Sequence, residues 1–298
     1  MHLFCIIKLK NWRRWRKKMP NTLNAIKENT LKDNPDIREA DLDFVLGERL
    51  GYTPSEYQLH LDDELNEEQI KQAKKDIKKL RRGVSPQYIL GFSWFYGYKI
   101  LVQRGVLIPR FETEELVKWA LDNIKDQAKI LDLGTGSGAI MVALAQELAK
   151  KDITNLQLYA SDITDNALRE SEENFLKYDI DVITRKANVL IGLEKFDVII
   201  SNPPYIKLSE KDLMDENVKK NEPEEALYGG EDGLDFYRKF VKQVRDHLNS
   251  HGQFFMEFGF SEKEQLAELF AEELPDFEIE FKDDLAGKPR MVHGRWQK

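Results

Sequence analysis

One short stretch of the chain carries residues whose types and order suit a chemical step at nitrogen. Asn202 is followed by Pro203, Pro204 and Tyr205, and the stretch comes directly after the apolar run 196–200. A short run rich in β-branched residues and closed by turn residues predicts a buried parallel strand. Consecutive prolines fix φ and cannot donate to a sheet ladder, so the backbone after this strand must be stiff. A stiff turn at the carboxyl end of a parallel strand is where open α/β sheets bind ligands.

The side chains of this turn match a planar nitrogen whose lone pair is delocalised, as in an amide or an aromatic amine. The Asn202 side-chain oxygen and the Pro203 carbonyl can accept both hydrogens of an NH2 group, and Tyr205 can stack on its plane. An asparagine in a turn is common for structural reasons alone. Asparagine, two prolines and tyrosine after a buried strand favour the functional interpretation. We therefore predict that Asn202, Pro203 and Tyr205 are catalytic, and that together with Pro204 they bind the substrate.

A glycine-rich turn earlier in the chain predicts a site for a nucleoside cofactor. The apolar run 129–133 is followed by Gly134-Thr135-Gly136-Ser137-Gly138 and then by a helical pattern. Glycines at the mouth of a strand let the backbone approach a ligand closely. An acid at the end of the next strand, here Asp162, can accept from ribose hydroxyls. The same glycines also fit the dinucleotide-binding fingerprint, and a match of that kind is weak on its own.

Two features favour S-adenosylmethionine over a nicotinamide cofactor. Asp132 precedes the glycine turn, where a carboxylate can meet an ammonium group or ordered water but would repel a pyrophosphate. The turn at Asn202 offers two acceptors to an NH2 group and has no hydride chemistry to support. Asn188, after the third predicted strand, is positioned to form a hydrogen bond with an adenine edge.

Composition describes a globular protein and argues against a large nucleic-acid surface. The chain has 298 residues, of which 41% are hydrophobic and 33% charged, and its formal net charge is -8. Non-specific nucleic-acid binding usually needs a basic surface. The single cysteine, Cys5, rules out an internal disulfide and is compatible with a reducing cytoplasm. We expect a cytoplasmic protein without a metal site, a membrane segment or stable nucleic-acid binding.

The pattern along the chain predicts four segments. Residues 1–19 are rich in lysine and arginine and are predicted to form a flexible basic extension. Residues 20–90 carry apolar stripes at helical spacing, which predict a small helical domain for substrate docking. Residues 91–110 are typical of a β-hairpin that links two domains. Strand and helix patterns alternate over 111–298, which predicts a mainly parallel, doubly wound sheet with antiparallel strands at its end.

Motifs along most of the chain resemble those of the release-factor glutamine methyltransferases. Enzymes of that family methylate the glutamine side-chain amide in the Gly-Gly-Gln motif of peptide chain release factors. The Asn-Pro-Pro-Tyr turn is shared with DNA and RNA amino-methyltransferases, so the hairpin and the Pro109-Arg110 segment are what point to this family. The matching pieces are Ser85-Pro86-Gln87-Tyr88-Ile89-Leu90-Gly91, Val106-Leu107-Ile108-Pro109-Arg110, Glu112-Thr113-Glu114, Asp132 through Gly138, Asn202 through Ile206, Glu222-Pro223, Ala226-Leu227, Gly230-x-Asp232-Gly233-Leu234, Glu257-x-Gly259, Asp284-Leu285-Ala286-Gly287 and Arg290.

The resemblance implies a fold, a cofactor and a substrate. The fold is α/β: a Rossmann-like class I S-adenosylmethionine-dependent methyltransferase domain, with a small N-terminal helical domain joined by a β-hairpin. The implied enzyme is a cytoplasmic monomer whose partners are release factors. Phe111 stands where the family usually has proline, and Asn188 where it usually has aspartate followed by an aromatic or apolar residue. The predicted cofactor-binding residues are Asp132, Gly134, Thr135, Gly136, Ser137, Gly138, Asp162, Asn188, Val189 and Asn202.

Two other functions stay open on the sequence. A nucleic-acid amino-methyltransferase would use the same turn, although the acidic balance and the lack of an evident target-recognition module disfavour it. A non-catalytic cofactor-binding protein would have no need of two prolines and a tyrosine after Asn202. Incubation with labelled cofactor and either a release factor or DNA distinguishes the three, because each predicts a different labelled macromolecule.

Overall fold

The structure is a computed structural model that describes residues 21–298. The chain divides into two compact units, and the boundary lies between Leu90 and Gly91. This division groups residues 91–110, the expected linker, with the second unit. The predicted basic extension over 1–19 lies outside the described residues. Between residues 21 and 298, none of the helices combines the length and apolar composition that a bilayer crossing requires.

The first unit is helical, and several of its helices begin at caps that the sequence encodes. Thr53 and Glu56 form one capping box, and Asn66 and Gln69 form another. In each box the side chain of the first residue accepts from the backbone amide of the second, and the side chain of the second accepts from the backbone amide of the first. Two amides at the helix start are thereby satisfied. The helices are α1 (Leu23–Asp33), α2 (Glu39–Leu50), α3 (Pro54–Leu59), α4 (Glu67–Leu80) and α5 (Pro86–Leu90).

The second unit is an α/β domain whose described residues include a seven-stranded sheet. Five of its strands pair in parallel, and the last two add antiparallel pairs at one side, which confirms the predicted fold class. The spatial order is β5-β4-β3-β6-β7-β9-β8. The strands are β3 (Lys129–Leu133), β4 (Gln157–Asp162), β5 (Val182–Lys186), β6 (Phe196–Ser201), β7 (Leu248–Glu257), β8 (Phe277–Asp283) and β9 (Pro289–Trp296).

Helices between these strands complete a common hydrophobic core. Tyr237, Phe240, Phe254 and Phe270 are fully buried in one cluster with residues of β6 and β7. Burying one such side chain contributes about 1.5–3 kcal/mol, so this cluster holds the two strands firmly. The helices are α6 (Phe111–Leu121), α7 (Ala139–Lys150), α8 (Asp165–Lys177), α9 (Glu216–Asn221), α10 (Asp235–Val241), α11 (Val244–His247) and α12 (Lys263–Glu273), with 3-10 turns at Leu208–Leu213, Glu224–Ala226 and Phe260–Glu262.

A two-stranded antiparallel hairpin opens the second unit. Its strands are β1 (Phe92–Phe95) and β2 (Tyr98–Leu101). The amide of Lys99 donates to the Tyr178 hydroxyl, and the amide of Leu101 donates to Asn174 Oδ1, each at 2.8 Å. Since Asn174 lies on α8 and Tyr178 is the C-cap residue of that helix, these two bonds fasten the hairpin to α8.

Candidate active site

A cavity of about 590 Å³ opens at the carboxyl ends of β3, β4 and β6. Its lining contains ten of the predicted site residues: Gly134, Thr135, Gly136, Ser137, Asp162, Asn188, Val189, Asn202, Pro203 and Pro204. The other three, Asp132, Gly138 and Tyr205, are not part of the lining. The structure therefore brings most of the residues predicted for cofactor and for substrate to one cavity.

The glycine turn, residues 134–138, folds tightly at the end of β3. The amides of Gly134 and Thr135 both donate to the Ser161 carbonyl, at 2.8 and 2.9 Å. All three glycines of the turn have positive φ, a backbone conformation that glycine adopts without strain. A Cβ on Gly138 would lie 2.7 Å from the Phe175 ring, so glycine there also lets α7 approach α8 closely. The turn thus leads from β3 straight into the amino end of α7 beside the cavity.

Asp162 uses its carboxylate to join the glycine turn to the start of α8. Its Oδ2 accepts from the Gly136 amide at 3.1 Å. Its Oδ1 accepts from the amide and the hydroxyl of Thr164, at 2.9 and 3.0 Å. Carboxylate oxygens have about four lone-pair sites between them, so further acceptance from a ribose diol is compatible with these bonds. The predicted ribose contact of Asp162 therefore fits its position in the cavity wall and stays a prediction.

Asp132 is fully buried under the glycine turn. Its Oδ2 accepts from the Thr135 hydroxyl at 2.7 Å. Burial raises the pKa of Asp132 to about 7, while the bonds from Thr135 and from the Met141 amide oppose that rise. Asp132 supports the turn from inside the domain and lies outside the cavity lining. Its predicted contact with an ammonium group or ordered water stays a prediction.

Asn188 and Val189 contribute to the lining beyond the end of β5. Val189 has φ of 55°, a left-handed conformation that β-branched residues rarely adopt. Backbone strain of this kind costs about 1–3 kcal/mol and is concentrated at binding sites and switch regions. The side chain of Asn188 is exposed beside it, which is compatible with the predicted adenine contact.

The elbow, residues 202–205, packs against glycines whose places no larger residue could take. A Cβ on Gly229 would lie 2.7 Å from the Pro204 carbonyl oxygen, and one on Gly233 would lie 2.4 Å from that of Tyr205. A Cβ on Gly259 would lie 3.2 Å from the Tyr205 ring. Real Cβ atoms do not approach backbone oxygens this closely, so glycine is required for the loops to hold the elbow in place.

A chain of hydrogen bonds behind the elbow reaches Asn202. Its Nδ2 donates to Thr113 Oγ1 at 2.8 Å, and Thr113 Oγ1 donates to Glu257 Oε2 at 2.7 Å. The hydroxyl of Tyr205 donates to the other carboxylate oxygen, Glu257 Oε1, at 2.8 Å. Thr113 and Glu257 are both buried. Burial raises the pKa of Glu257, and the two hydroxyl donors oppose that rise.

Tyr205 therefore has a contact that sequence reasoning did not anticipate. Its ring is outside the cavity lining, and its hydroxyl points to Glu257. Burial, together with the neighbouring Glu257 carboxylate, raises the pKa of Tyr205 well above its usual value, so the hydroxyl remains a donor. Stacking of Tyr205 on a substrate amide stays a prediction.

A second buried carboxylate holds the segment ahead of α6. Arg110 lines the cavity and donates through Nη2 to Glu222 Oε2 at 2.6 Å. Burial raises the pKa of Glu222, and Arg110 opposes that rise. Arg104 reinforces the same attachment by donating to Asn221 Oδ1 at 3.0 Å. Two stretches far apart in sequence are thus joined next to the cavity.

Sequence reasoning missed Thr113 and Glu257 as parts of the site. Both lie in motifs that matched the family pattern, but neither was assigned a role. A usable signal existed for Glu257, since it follows the apolar run 254–256 at the end of a strand and would emerge at the same side of the sheet as Asn202. Thr113 gave no such signal, because a threonine in the first turn of a helix is common. Within residues 21–298, no group of three or more His, Cys, Asp or Glu side chains could hold a metal ion.

Comparison with known families agrees with this site. The family model described as "PrmC N-terminal domain" matches residues 27–91, and the model described as "Methyltransferase small domain" matches residues 113–223. The second match contains the glycine turn, Asp162 and the elbow. A mainly parallel sheet with these features at the carboxyl ends of its strands, within a methyltransferase domain, defines the chain as a methyltransferase.

Relatives that match most of this chain narrow this class. The release factor glutamine methyltransferase of Lactococcus lactis is 38% identical over 232 residues, covering 77% of this chain and 84% of that protein. The enzyme of the same name from Streptococcus pneumoniae is 35% identical over 254 residues, covering 84% and 89%. That of Koribacter versatilis is 38% identical over 231 residues, covering 75% and 80%. The chain belongs to the release factor glutamine methyltransferase family, which confirms the resemblance seen in its motifs.

Proposed function

We propose that this chain transfers the methyl group of S-adenosylmethionine to the side-chain amide nitrogen of the glutamine in the Gly-Gly-Gln motif of peptide chain release factors. The observation that carries the proposal is the orientation of Asn202. Its NH2 group donates to Thr113, so its carbonyl oxygen is left to accept from a substrate in the cavity. An acceptor held in this way suits the NH2 group of a primary amide.

The cavity fits the proposed cofactor. Its volume of about 590 Å³ lies in the range of small-molecule sites, which is about 300–1,000 Å³. The glycine turn allows close approach of a nucleoside, Asp162 offers carboxylate oxygens for ribose hydroxyls, and Asn188 offers an amide for adenine. When bound, S-adenosylmethionine would supply an electrophilic methyl carbon, whose bond to sulfur breaks as the bond to nitrogen forms, so that a neutral thioether leaves.

The residues of the elbow bind and orient the amide. Asn202 Oδ1 and the Pro203 carbonyl accept the two hydrogens of the substrate NH2 group, which fixes the plane and direction of the nitrogen. They also stabilise the positive charge that develops on nitrogen as the new bond forms. Correct orientation can lower a barrier by up to about 7–11 kcal/mol. No strong base is required, because a methylated, N-protonated amide is very acidic and releases its proton to water.

Residues 21–90 of the first unit do not line the cavity, and we assign docking of the protein substrate to this unit. Its match to the PrmC N-terminal domain supports the assignment, because that domain is separate from the methyltransferase domain that contains the cavity. We further propose that the enzyme acts as a monomer.

The test is methyl transfer to defined substrates. Purified chain is incubated with S-adenosylmethionine labelled on the methyl group and with a full-length release factor, the same factor with its motif glutamine changed to glutamate, or DNA. We expect label only in the unaltered release factor, and mass spectrometry should locate one methyl group on the glutamine. Label in DNA, or equal label in both forms of the release factor, would overturn the proposal.

A further inference from the structure

We propose that Glu257 is a positioning residue: acting through Thr113, it determines which end of the Asn202 amide faces the substrate. The inference rests on the proposed function, since it explains how the same elbow selects an NH2 group. The three side chains in this order, Glu257, Thr113 and Asn202, are called the relay below.

The sheet itself brings the ends of the relay together. Ser201 on β6 pairs with Met256 on β7 in parallel register. Asn202, the residue after β6, and Glu257, the last residue of β7, therefore lie side by side at the ends of adjacent strands. Thr113, in the first turn of α6, lies between them, with its Oγ1 2.8 Å from Asn202 Nδ2 and 2.7 Å from Glu257 Oε2.

The direction of the relay follows from the chemistry of its buried end. An ionised carboxylate can only accept hydrogen bonds, so Glu257 takes the single hydrogen of the Thr113 hydroxyl. The Thr113 hydroxyl then has no hydrogen left for Asn202. Its oxygen can only accept a hydrogen bond from that side chain. Asn202 must turn its NH2 group to Thr113 and its carbonyl oxygen to the cavity. The reversed amide would set an NH2 group against the NH2 group of the substrate.

Other contacts favour the ionised form of Glu257 and oppose the rise in its pKa that burial and the nearby Glu112 cause. The Tyr205 hydroxyl donates to Oε1, so each carboxylate oxygen has a hydroxyl donor. Arg290, which pairs with Asp284 at 3.3 Å, also favours the negative charge on Glu257. Glu257, Asp284 and Arg290 belong to the motifs 257–259 and 284–290, for which the proposed reaction has no direct use. The charge of Arg290, which pairs with Asp284, favours the carboxylate of Glu257 and gives both motifs a function in the relay.

The first test removes the middle of the relay. Thr113→Val keeps the shape of the side chain but deletes its hydroxyl, whereas Thr113→Ser keeps the hydroxyl. We expect the valine variant to lose about tenfold in kcat with an unchanged dissociation constant for S-adenosylmethionine, and the serine variant to recover most of the loss. In the free enzyme, the side-chain NH2 signals of nitrogen-15-labelled Asn202 should shift with valine and return with serine.

Thr135→Val is the matched control for this substitution. Thr135 is also a buried threonine whose hydroxyl donates to a buried carboxylate, Asp132, at 2.7 Å, but it lies at the glycine turn. We expect Thr135→Val to leave the Asn202 signals in place. Equal shifts from Thr113→Val and Thr135→Val would mean that the signals report general repacking, and the relay would be rejected.

The second test reverses the direction of the relay. Asn202→Asp puts a second carboxylate next to Thr113, whose one hydrogen cannot satisfy both acids. Adding Glu257→Gln supplies an NH2 donor to Thr113, which frees the threonine hydrogen for the new carboxylate and leaves an acceptor oxygen facing the cavity. We expect the double variant to exceed Asn202→Asp about tenfold in kcat and to melt at a higher temperature. A double variant that is no better than Asn202→Asp in both measurements would overturn the proposal.

Different results distinguish a wrong assignment of the enzyme's function from a wrong assignment of the relay. If the wild-type chain gives no label in a release factor, the proposed function fails, while the Asn202 signals and the melting temperatures still test the relay in the free enzyme. If the wild-type chain labels the release factor but Thr113→Val keeps full kcat and unshifted Asn202 signals, the relay alone fails.

Discussion

The two ends of the cavity are shaped by different parts of the protein: buried side chains at one end and backbone at the other. At the elbow, buried side chains determine the orientation of one amide: Thr113 and Glu257 bond in series to Asn202. At the glycine turn, the backbone determines the shape, with the amides of Gly134 and Thr135 bonded to a carbonyl of β4. The difference shows that side chains set the orientation of one group, whereas the backbone sets the shape of the wall. Under the proposed function, a few polar side chains orient one reacting group, whereas the backbone of a turn leaves space for a large cofactor.

The largest effect on this comparison is expected from Asn202→Ala. The substitution removes the acceptor oxygen and leaves the glycine turn untouched, so turnover should fall about 1,000-fold while cofactor affinity stays within about twofold. Methyl-transfer kinetics and calorimetry with S-adenosylmethionine measure the two quantities. A loss of cofactor affinity as large as the loss of turnover would mean that the two ends of the cavity are not separable.

Gly233→Ala tests whether the elbow depends on close packing. The new Cβ would lie 2.4 Å from the Tyr205 carbonyl oxygen, and φ at this position is +80°, so both the backbone and the elbow must shift. We expect kcat to fall about 10–100-fold, because small displacements of an oriented group are costly.

Gly97→Ala separates the strain of positive φ from the steric clash. Gly97 has φ of +79° in the hairpin turn, and an added Cβ there would meet no atom within 4 Å. We expect this variant to lose about 1 kcal/mol of unfolding free energy and to keep its kcat. Equal losses of kcat in both glycine variants would show that the packing of the elbow is not the cause.

Asp162→Ala tests the other end of the cavity. Loss of a charged acceptor should raise the dissociation constant for S-adenosylmethionine about 10–100-fold, with kcat at saturating cofactor within a fewfold of wild type. Asp165→Ala is the control, since Asp165 is the first residue of α8, three residues after Asp162, but pairs with Lys186 outside the cavity lining. An unchanged dissociation constant in Asp162→Ala would remove Asp162 from the ribose assignment.

The parts of the fold that the sequence predicted well are those with a local signal. The apolar runs 129–133 and 196–200 became β3 and β6 with nearly the predicted ends, because strands buried on both faces appear as continuous apolar runs. The glycine turn and the elbow follow these strands directly. Their meeting at one cavity was predictable as well, because the carboxyl ends of parallel strands lie on the same side of a sheet.

The relay was beyond prediction because its bonds join distant parts of the chain. Thr113 and Glu257 are 144 residues apart, and their contact depends on the packing of α6 against β7 and on β7 lying next to β6. The expected linker at 91–110 shows the same limit. Its hairpin pattern is local, but the bonds that fasten Lys99 and Leu101 to the region of α8 are not.

The smallest effect is expected from Tyr205→Phe, which deletes one of the two donors to Glu257 and keeps the ring. Since the Tyr205 hydroxyl favours the ionised carboxylate, its loss should raise the pKa of Glu257 further, while the opposing influences of Arg290 and Glu112 are unchanged. Thr113 still donates, so kcat at neutral pH should fall only about threefold. Protonated Glu257 no longer directs the relay, so the acid limb of the kcat profile should move to higher pH. A pH profile that coincides with wild type would assign Tyr205 to stacking instead and leave the orientation of Asn202 to Thr113 and Glu257 alone.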